Sequence, residues 1–253
     1  METFAAPWAL ASPNAVPIQE TTVQIEIWSD VVCPWCAIGK RRFEAALADF
    51  AHRDDVDVWW RSYELDPSAP RRRSEPLVEH LADKYELDQQ RAQEFQDFMT
   101  SMAAEEGLAF RLDIAQPGNT FDAHRLLHLA AERGLQDTVK ERFLIAYLCD
   151  GEAVGEPEVL ARLAGAAGLD AGEVEAVLSG DAYADAVRTD QRAARQLGIS
   201  GVPFFAFNRT HGVSGAQPPD VFAQALEEAW ATTRPLEPVG EAGETTCGPG
   251  GCA

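Results

Sequence analysis

Two cysteines flanking Pro34 and Trp35 stand where an alternating run gives way to a helical one, and this junction restricts the fold more than any other feature of the chain. Residues 23–29, VQIEIWS, place apolar side chains at Val23, Ile25 and Ile27 before Trp28 breaks the alternation, the period of a strand. From 34 to 50 the apolar positions Ile38, Phe43, Ala46, Leu47 and Phe50 repeat at helical spacing. Pro34 suits the first helical turn, where its missing N–H would have had no partner. Residues 56–63, VDVWWRSY, alternate again. Strand, helix, strand predicts a βαβ unit with parallel strands and a right-handed crossover, with Cys33 at the helix entrance.

Beyond a proline- and arginine-rich connection at 64–75, strand patterning almost disappears until 202. Helices are expected at about 76–85, 88–106, 119–133, 136–149, 157–167, 170–178 and 181–197. Asp88, Asn119 or Thr120, Glu156-Pro157 and Asp181 mark starts, and Gly107, Gly134, Gly151, Gly168 and Gly198 mark stops. Strand pattern returns at VPFFAFN, 202–208, and at HGVSGA, 211–216, close enough to pair as a hairpin. A last helix is expected over 218–232.

The helix entrance determines what the cysteines can do. Unsatisfied N–H groups and the positive end of the helix dipole favour a thiolate at Cys33, and cysteines so placed titrate at about 3.5–7.5. Cys36 lies one turn deeper on the same face, able to attack a mixed disulfide formed at Cys33. Cys33 is thus the expected nucleophile and Cys36 the resolving thiol. A zinc knuckle would need a second CxxC or a histidine pair at ligand spacing, and the nearest histidine is His52. CxxC beside a βαβ pattern reads as redox.

SDVVCPWCAIGKRRFE at 29–44, NTFDAHRLLHLA at 119–130 and LGISGVPFFAFN at 197–208 together resemble the DsbA family, and more narrowly its FrnE-like subfamily, over about residues 22–232. The resemblance implies an α/β thioredoxin-like fold with a large all-helical insertion. It divides the chain into a flexible extension at 1–21, a thioredoxin-like domain from 22–75 and 198–232, a helical domain at 76–197, and a flexible tail at 233–253. It also implies a cis-proline at Pro203, with the Val202 backbone, Pro34 and Trp35 beside it binding substrate. One departure concerns the carboxylate that related folds bury six residues before the nucleophile, since that position is Ile27 here. Glu26 should face the opposite side and Asp30 lie in the turn. The proton acceptor for Cys36 is left to water or Lys40, although Lys40, Arg41 and Arg42 read first as a solvated helix face.

Cys247 and Cys252 enclose Gly-Pro-Gly-Gly, a loop that closes with little steric resistance. About 15 residues of flexible chain from the last helix would span some 20 Å. The expectation is a second redox pair exchanging with Cys33–Cys36, an arrangement that also resembles some FrnE-like proteins. The alternatives are a zinc site of four thiols and an incidental pair. Cys149, at an apolar helix end, is expected to be a packed thiol. His124 and His128, at i and i+4, have the spacing of a ligand pair but no acidic third ligand, so packing and capping roles are expected and no metal.

The net charge of −20 makes nucleic acid and anionic membranes poor partners. No apolar run reaches the length of a membrane span. The start, METFAAPWALASPNAVPIQE, has no Lys or Arg before its apolar patch and is interrupted by Pro7 and Pro13, so no secretory signal is expected. Five scattered cysteines do not form a secreted disulfide framework, which points to a cytoplasmic enzyme. The expected function is dithiol–disulfide exchange on cysteine-containing proteins, with no cofactor beyond the redox-active disulfide and glutathione as the one candidate co-substrate. The alternative is a glutathione-dependent isomerase or transferase related to 2-hydroxychromene-2-carboxylate isomerase and the kappa-class transferases. Those place serine where Cys33 stands. The sequence sets neither oligomeric state nor direction, since CxxC proteins of this fold span about −120 to −270 mV.

Overall fold

A computed structural model describes residues 22–233. Strand β1 (Val23–Ser29) leads through a short turn into helix α1 (Pro34–Asp49), and the chain returns through a single 3-10 turn to β2 (Val56–Ser62). β1 and β2 pair in parallel from Val23↔Val56 to Ser29↔Ser62. Strands β3 (Phe204–Phe207) and β4 (His211–Ser214) form the hairpin, and β3 adds antiparallel to the other edge of β1, giving the order β2-β1-β3-β4. β3 starts two residues later than its apolar pattern suggests. Pro203 has no N–H to give the ladder, although its carbonyl accepts from Gly215 N–H at 2.8 Å.

With β1 central, both of its faces are covered. Ile25 and Ile27 point toward α1 and the last helix, α9 (Pro219–Thr233), where Phe43, Phe205, Phe207, Phe222 and Leu226 close a core. Phe205 and Phe222 meet edge-on at 4.6 Å. Trp28 points the other way and donates its indole N–H to Asp190 O at 3.1 Å. Glu26, on the same side as expected, is buried between Arg61 and Arg209.

Between β2 and β3 run α2 (Leu77–Tyr85), α3 (Gln89–Glu105), α4 (Phe121–Glu132), α5 (Gln136–Leu148), α6 (Pro157–Ala166), α7 (Ala171–Ser179) and α8 (Ala184–Gln196). Each lies within a few residues of its expected span. The largest shift is at α8, which starts at Ala184 because a turn closes from Asp181 O to Ala184 N–H and Tyr183 takes a left-handed φ of 63°. Leu126, Phe143, Leu144 and Tyr147 of α4 and α5 share one apolar core with Val31, Cys33, Cys36, Ala37 and Ile38. The helices therefore pack against the CPWC end of α1.

That packing corrects one expectation. Lys40, Arg41 and Arg42 are not a solvated face, because α5 and the end of α3 lie against them. Lys40 is 2% exposed and paired with Glu44, Asp137 and Glu141. Arg41 pairs with Glu44 and Glu141, and Arg42 with Glu106 at 2.5 Å.

Candidate active site

Cys33 is the N-cap of α1, with extended backbone (φ −92°, ψ 115°) and Pro34 in the first turn. Its side chain makes no capping bond, and the residue is 4% exposed. Its carbonyl accepts from Cys36 N–H at 3.1 Å and Ala37 N–H at 3.4 Å, so the turn itself sets the cysteine spacing. The Val202–Pro203 peptide is cis, and Cys33 Sγ sits 3.7 Å from Val202 O. Gly39 makes this approach physically accessible: a Cβ there would lie 2.9 Å from Pro203 Cγ. The sequence reading passed over Gly39, whose only signal was glycine inside a helical pattern.

A cavity of about 480 Å³ opens beside the pair. Cys33, Pro34, Trp35 and Val202 line it together with Leu77, Leu81, Phe95 and Met99 of α2 and α3, and Arg73, His80 and Lys84 stand among the lining residues. The structure thus brings Cys33, Cys36, Pro34, Trp35, Val202 and Pro203 to one place. Cys247 and Cys252 lie outside the described residues.

Beneath the cysteines the polar groups are buried and unusual. Asp30 Oδ1 accepts from Val31 N–H at 2.8 Å and from His124 Nε2 at 3.2 Å, and Oδ2 accepts from Leu65 N–H at 2.8 Å. Burial alone would raise its pKa, but His124, the Leu65 amide and Lys140 outweigh burial and hold it below the ordinary carboxylate value. His128, one turn on, meets Ser62 Oγ at 3.1 Å and Asp190 Oδ2 at 3.2 Å. The two histidines thus serve different carboxylates, and no group of three metal-ligating side chains occurs among the described residues. Cys149 caps the end of α5 and is half-buried rather than enclosed, its pKa raised chiefly by burial.

Cys33 and Cys36 titrate as one unit. Burial opposes charge on Cys36, but the hydrogen bond from Cys33, the nearby Lys140 ammonium, Ser29 and the Asp30 backbone N–H together lower its pKa. With that charge in place, Cys33 is pushed well up, first by the bond it donates to Cys36 and then by burial. Lys140 thus adds to the helix entrance a second positive charge that favours a thiolate on the pair. Lys40 is not a proton acceptor: burial would lower its pKa, but Asp137, Glu44 and Glu141 outweigh burial and raise it.

The DSBA-like thioredoxin domain, as a family model, matches residues 24–227. The chain belongs to that family. It is a disulfide oxidoreductase by descent, and its four-stranded sheet with helices inserted between β2 and β3 is the fold its sequence resembled. The probable DsbA oxidoreductase SCO1869 from Streptomyces coelicolor is 49% identical, covering 91% of this chain and 98% of its own, with a TM-score of 0.80. The uncharacterized protein YwbO of Bacillus subtilis is 29% identical over 82% of this chain and 97% of its own. The cytosolic disulfide reductase DsbM from Pseudomonas aeruginosa, 21% identical with a TM-score of 0.53 over 81% of this chain and 97% of its own, shares the fold. No helix among the described residues is long and apolar enough to cross a membrane.

Proposed function

We propose that this DsbA-family chain is a protein thiol–disulfide oxidoreductase in which Cys33 forms the mixed disulfide and Cys36 resolves it. The observation that carries this reading is that, of two buried cysteines at 4% and 1% exposed, Cys33 lines the cavity and Cys36 does not, with Cys33 Sγ 3.7 Å from Val202 O at the cis peptide. A substrate chain that adds as a strand along Val202 would bring its own sulfur to Cys33. The helix entrance and Lys140 stabilise one thiolate shared by the pair, enough for attack from the sulfur that lines the cavity.

The electron count is that of dithiol exchange. The Cys33 thiolate attacks one sulfur of a substrate disulfide, and the other sulfur departs as a thiolate. Cys36 then attacks Cys33, the second substrate sulfur departs, and two electrons have passed to the substrate as Cys33–Cys36 becomes a disulfide. Run backward, the same steps oxidise a substrate dithiol, and the partner's potential sets the direction. Residues Val202, Pro203, Pro34 and Trp35 contact the substrate in this scheme. Membership of the FrnE-like subfamily, a cytoplasmic location, and exchange with a Cys247–Cys252 pair belong to the same proposal. A cysteine at 33, where the glutathione-dependent isomerases carry serine, weighs against that alternative.

The test is reduction of an insulin disulfide by dithiothreitol with purified protein. Cys33→Ser should abolish catalysis, and Cys36→Ser should accumulate mixed disulfides that mass spectrometry locates on Cys33. Unchanged turnover in Cys33→Ser would sink the assignment.

A further inference from the structure

Tyr147 of α5 and Thr120, the N-cap of α4, line the cavity beside Cys33 although they are only 2% and 3% exposed. Neither hydroxyl has a hydrogen-bond partner among the described residues. An N-cap threonine ordinarily offers its oxygen to the first amides of its helix. Thr120 makes no such bond, and Asn119 Oδ1 accepts from the Phe121 amide at 2.9 Å instead. Tyr147 is acted on by burial and by the Asp30 charge, and by no hydrogen bond. Among the described residues, the fully enclosed side-chain atoms without partners are Glu64 Oε1, Gln96 Nε2, Gln116 Oε1 and Lys140 Nζ, and the two hydroxyls are not of that set. Both therefore face open space, and the space their residues line is the cavity. Buried polar groups are nearly always satisfied, so two spare hydroxyls on one cavity wall point to a group that enters from outside.

The rest of the lining defines that group. The cavity's volume of about 480 Å³ is that of a ligand site, and Leu77, Leu81, Phe95 and Met99 give it an apolar wall. Asp30 lines it too, and His124, the Leu65 amide and Lys140 keep its carboxylate ionised. A second carboxylate beside Asp30 would be repelled. Arg73, also on the lining, is already engaged by Asp66 and Glu75. These surroundings suit a neutral polar group on an apolar stem. Cys33 and Val202 line the same cavity, so a substrate held at Cys33 and paired along Val202 presents to it the residue next to its own cysteine. We propose that the cavity is a specificity pocket for the residue flanking the substrate cysteine, and that it selects a neutral amide side chain, glutamine above all, held by the Tyr147 and Thr120 hydroxyls. The inference rests on the assignment of Cys33 as the attacking sulfur given above. Burial and Asp30 keep Tyr147 protonated, so it donates to the amide oxygen. Thr120 can donate to that oxygen or accept from the amide NH₂. The methylenes of the side chain lie against the apolar wall.

The experiment measures kcat/KM for reduction of symmetrical peptide disulfides by the full chain with dithiothreitol. In these peptides the residue before or after the cysteine is glutamine, glutamate, methionine or leucine, and symmetry presents the same neighbour to Cys33 whichever sulfur is attacked. Glutamine should exceed methionine, close to it in length and shape, by about three- to tenfold on one side of the cysteine, the size of one neutral hydrogen bond. Glutamate should fall below glutamine. Tyr147→Phe and Thr120→Val, each checked for folding by near-UV circular dichroism, should bring the glutamine-to-methionine ratio toward one. Tyr183→Phe, which loses a hydroxyl bonded to Glu132 and not on the cavity lining, should keep the wild-type ratio. A wild-type ratio within about twofold of one on both sides of the cysteine overturns the proposal, because the hydroxyls would then hold only solvent. So does an unchanged ratio in either variant that folds. Glutamate equal to or above glutamine also overturns it, and gives the selection to the cations Arg73 and Lys84 on the lining. Absence of turnover with every peptide would instead overturn the assignment of Cys33, and the inference with it.

Discussion

Asp30→Asn isolates the charge beneath the active site with little change in shape. The carboxylate is 1% exposed and accepts from Val31 N–H, His124 Nε2 and Leu65 N–H. An asparagine oxygen can keep the Oδ1 bonds, but its NH₂ group then faces the Leu65 amide, donor against donor. Orphaning one buried amide costs about 1–3 kcal/mol. Removing one member of a buried pair costs about 3–5 kcal/mol, and His124, the partner of Asp30 at 3.2 Å, would be left without its carboxylate. These two costs overlap in part, so a total of about 3–5 kcal/mol is expected, or about 6–20 °C in Tm for a chain of this size. The pH dependence has a definite sign. The folded Asp30 pKa lies below its ordinary value of 3.8, so its stabilisation is complete above that value and is lost as pH falls through the folded pKa. The through-space attraction of the Lys140 ammonium also weakens as the lysine loses its proton around 8. The wild-type advantage should therefore be widest between about pH 4 and pH 8 and narrow on either side. Urea unfolding of the reduced proteins measures it directly. A difference under about 1 kcal/mol at pH 7, or one that stays constant down to pH 3, would refute the reasoning, since orphaning the buried groups that the carboxylate holds cannot be that cheap.

Two further outcomes follow from the same geometry. Gly39→Ala puts a methyl 2.9 Å from Pro203 Cγ and 3.5 Å from Ala216 Cα, and overpacking of this kind costs about 1–3 kcal/mol, offset in part by alanine's better helix propensity. Thermal melts should show a net loss of about 1–2 kcal/mol, and insulin reduction should slow as Pro203 moves from Cys33; a variant matching wild type in both would mean that α1 and the cis-proline loop do not constrain each other. Replacing Cys247 and Cys252 together by serine should change the steady-state redox ratio of Cys33–Cys36 during turnover, read by thiol alkylation, whereas an unchanged ratio would mean that the pairs do not exchange.

The strand, CPWC, helix, strand opening was legible because each element announces itself within a few residues, through period-two alternation, helical spacing and a proline suited to a first turn. The helical stretch between β2 and β3 was legible for the same local reason, down to stops such as Gly107 and Gly134. Cys33 and Cys36 were legible because a two-residue spacer on one helical turn decides their contact. Val202 and Pro203 required the resemblance, since nothing local says that residues so far along the chain meet Cys33. What sequence periodicity could not show is what α5 does when it packs on α1. Lys40, Arg41 and Arg42 look like any exposed basic run, yet Asp137 and Glu141 of α5 bury Lys40 and engage the first two of the three. Lys140 looks like one more surface lysine in TVKERFLIAYL, yet its helix turns it inward, where it is fully buried. A charged side chain's pKa and availability depend on which distant elements remove its water, and that is a property of packing between segments. The sequence by itself placed two thiols on one helical turn at the end of a strand and indicated the elements around them. The tertiary structure decided that the cavity opens beside Cys33 and the cis peptide, and which charged side chains lie buried behind the pair.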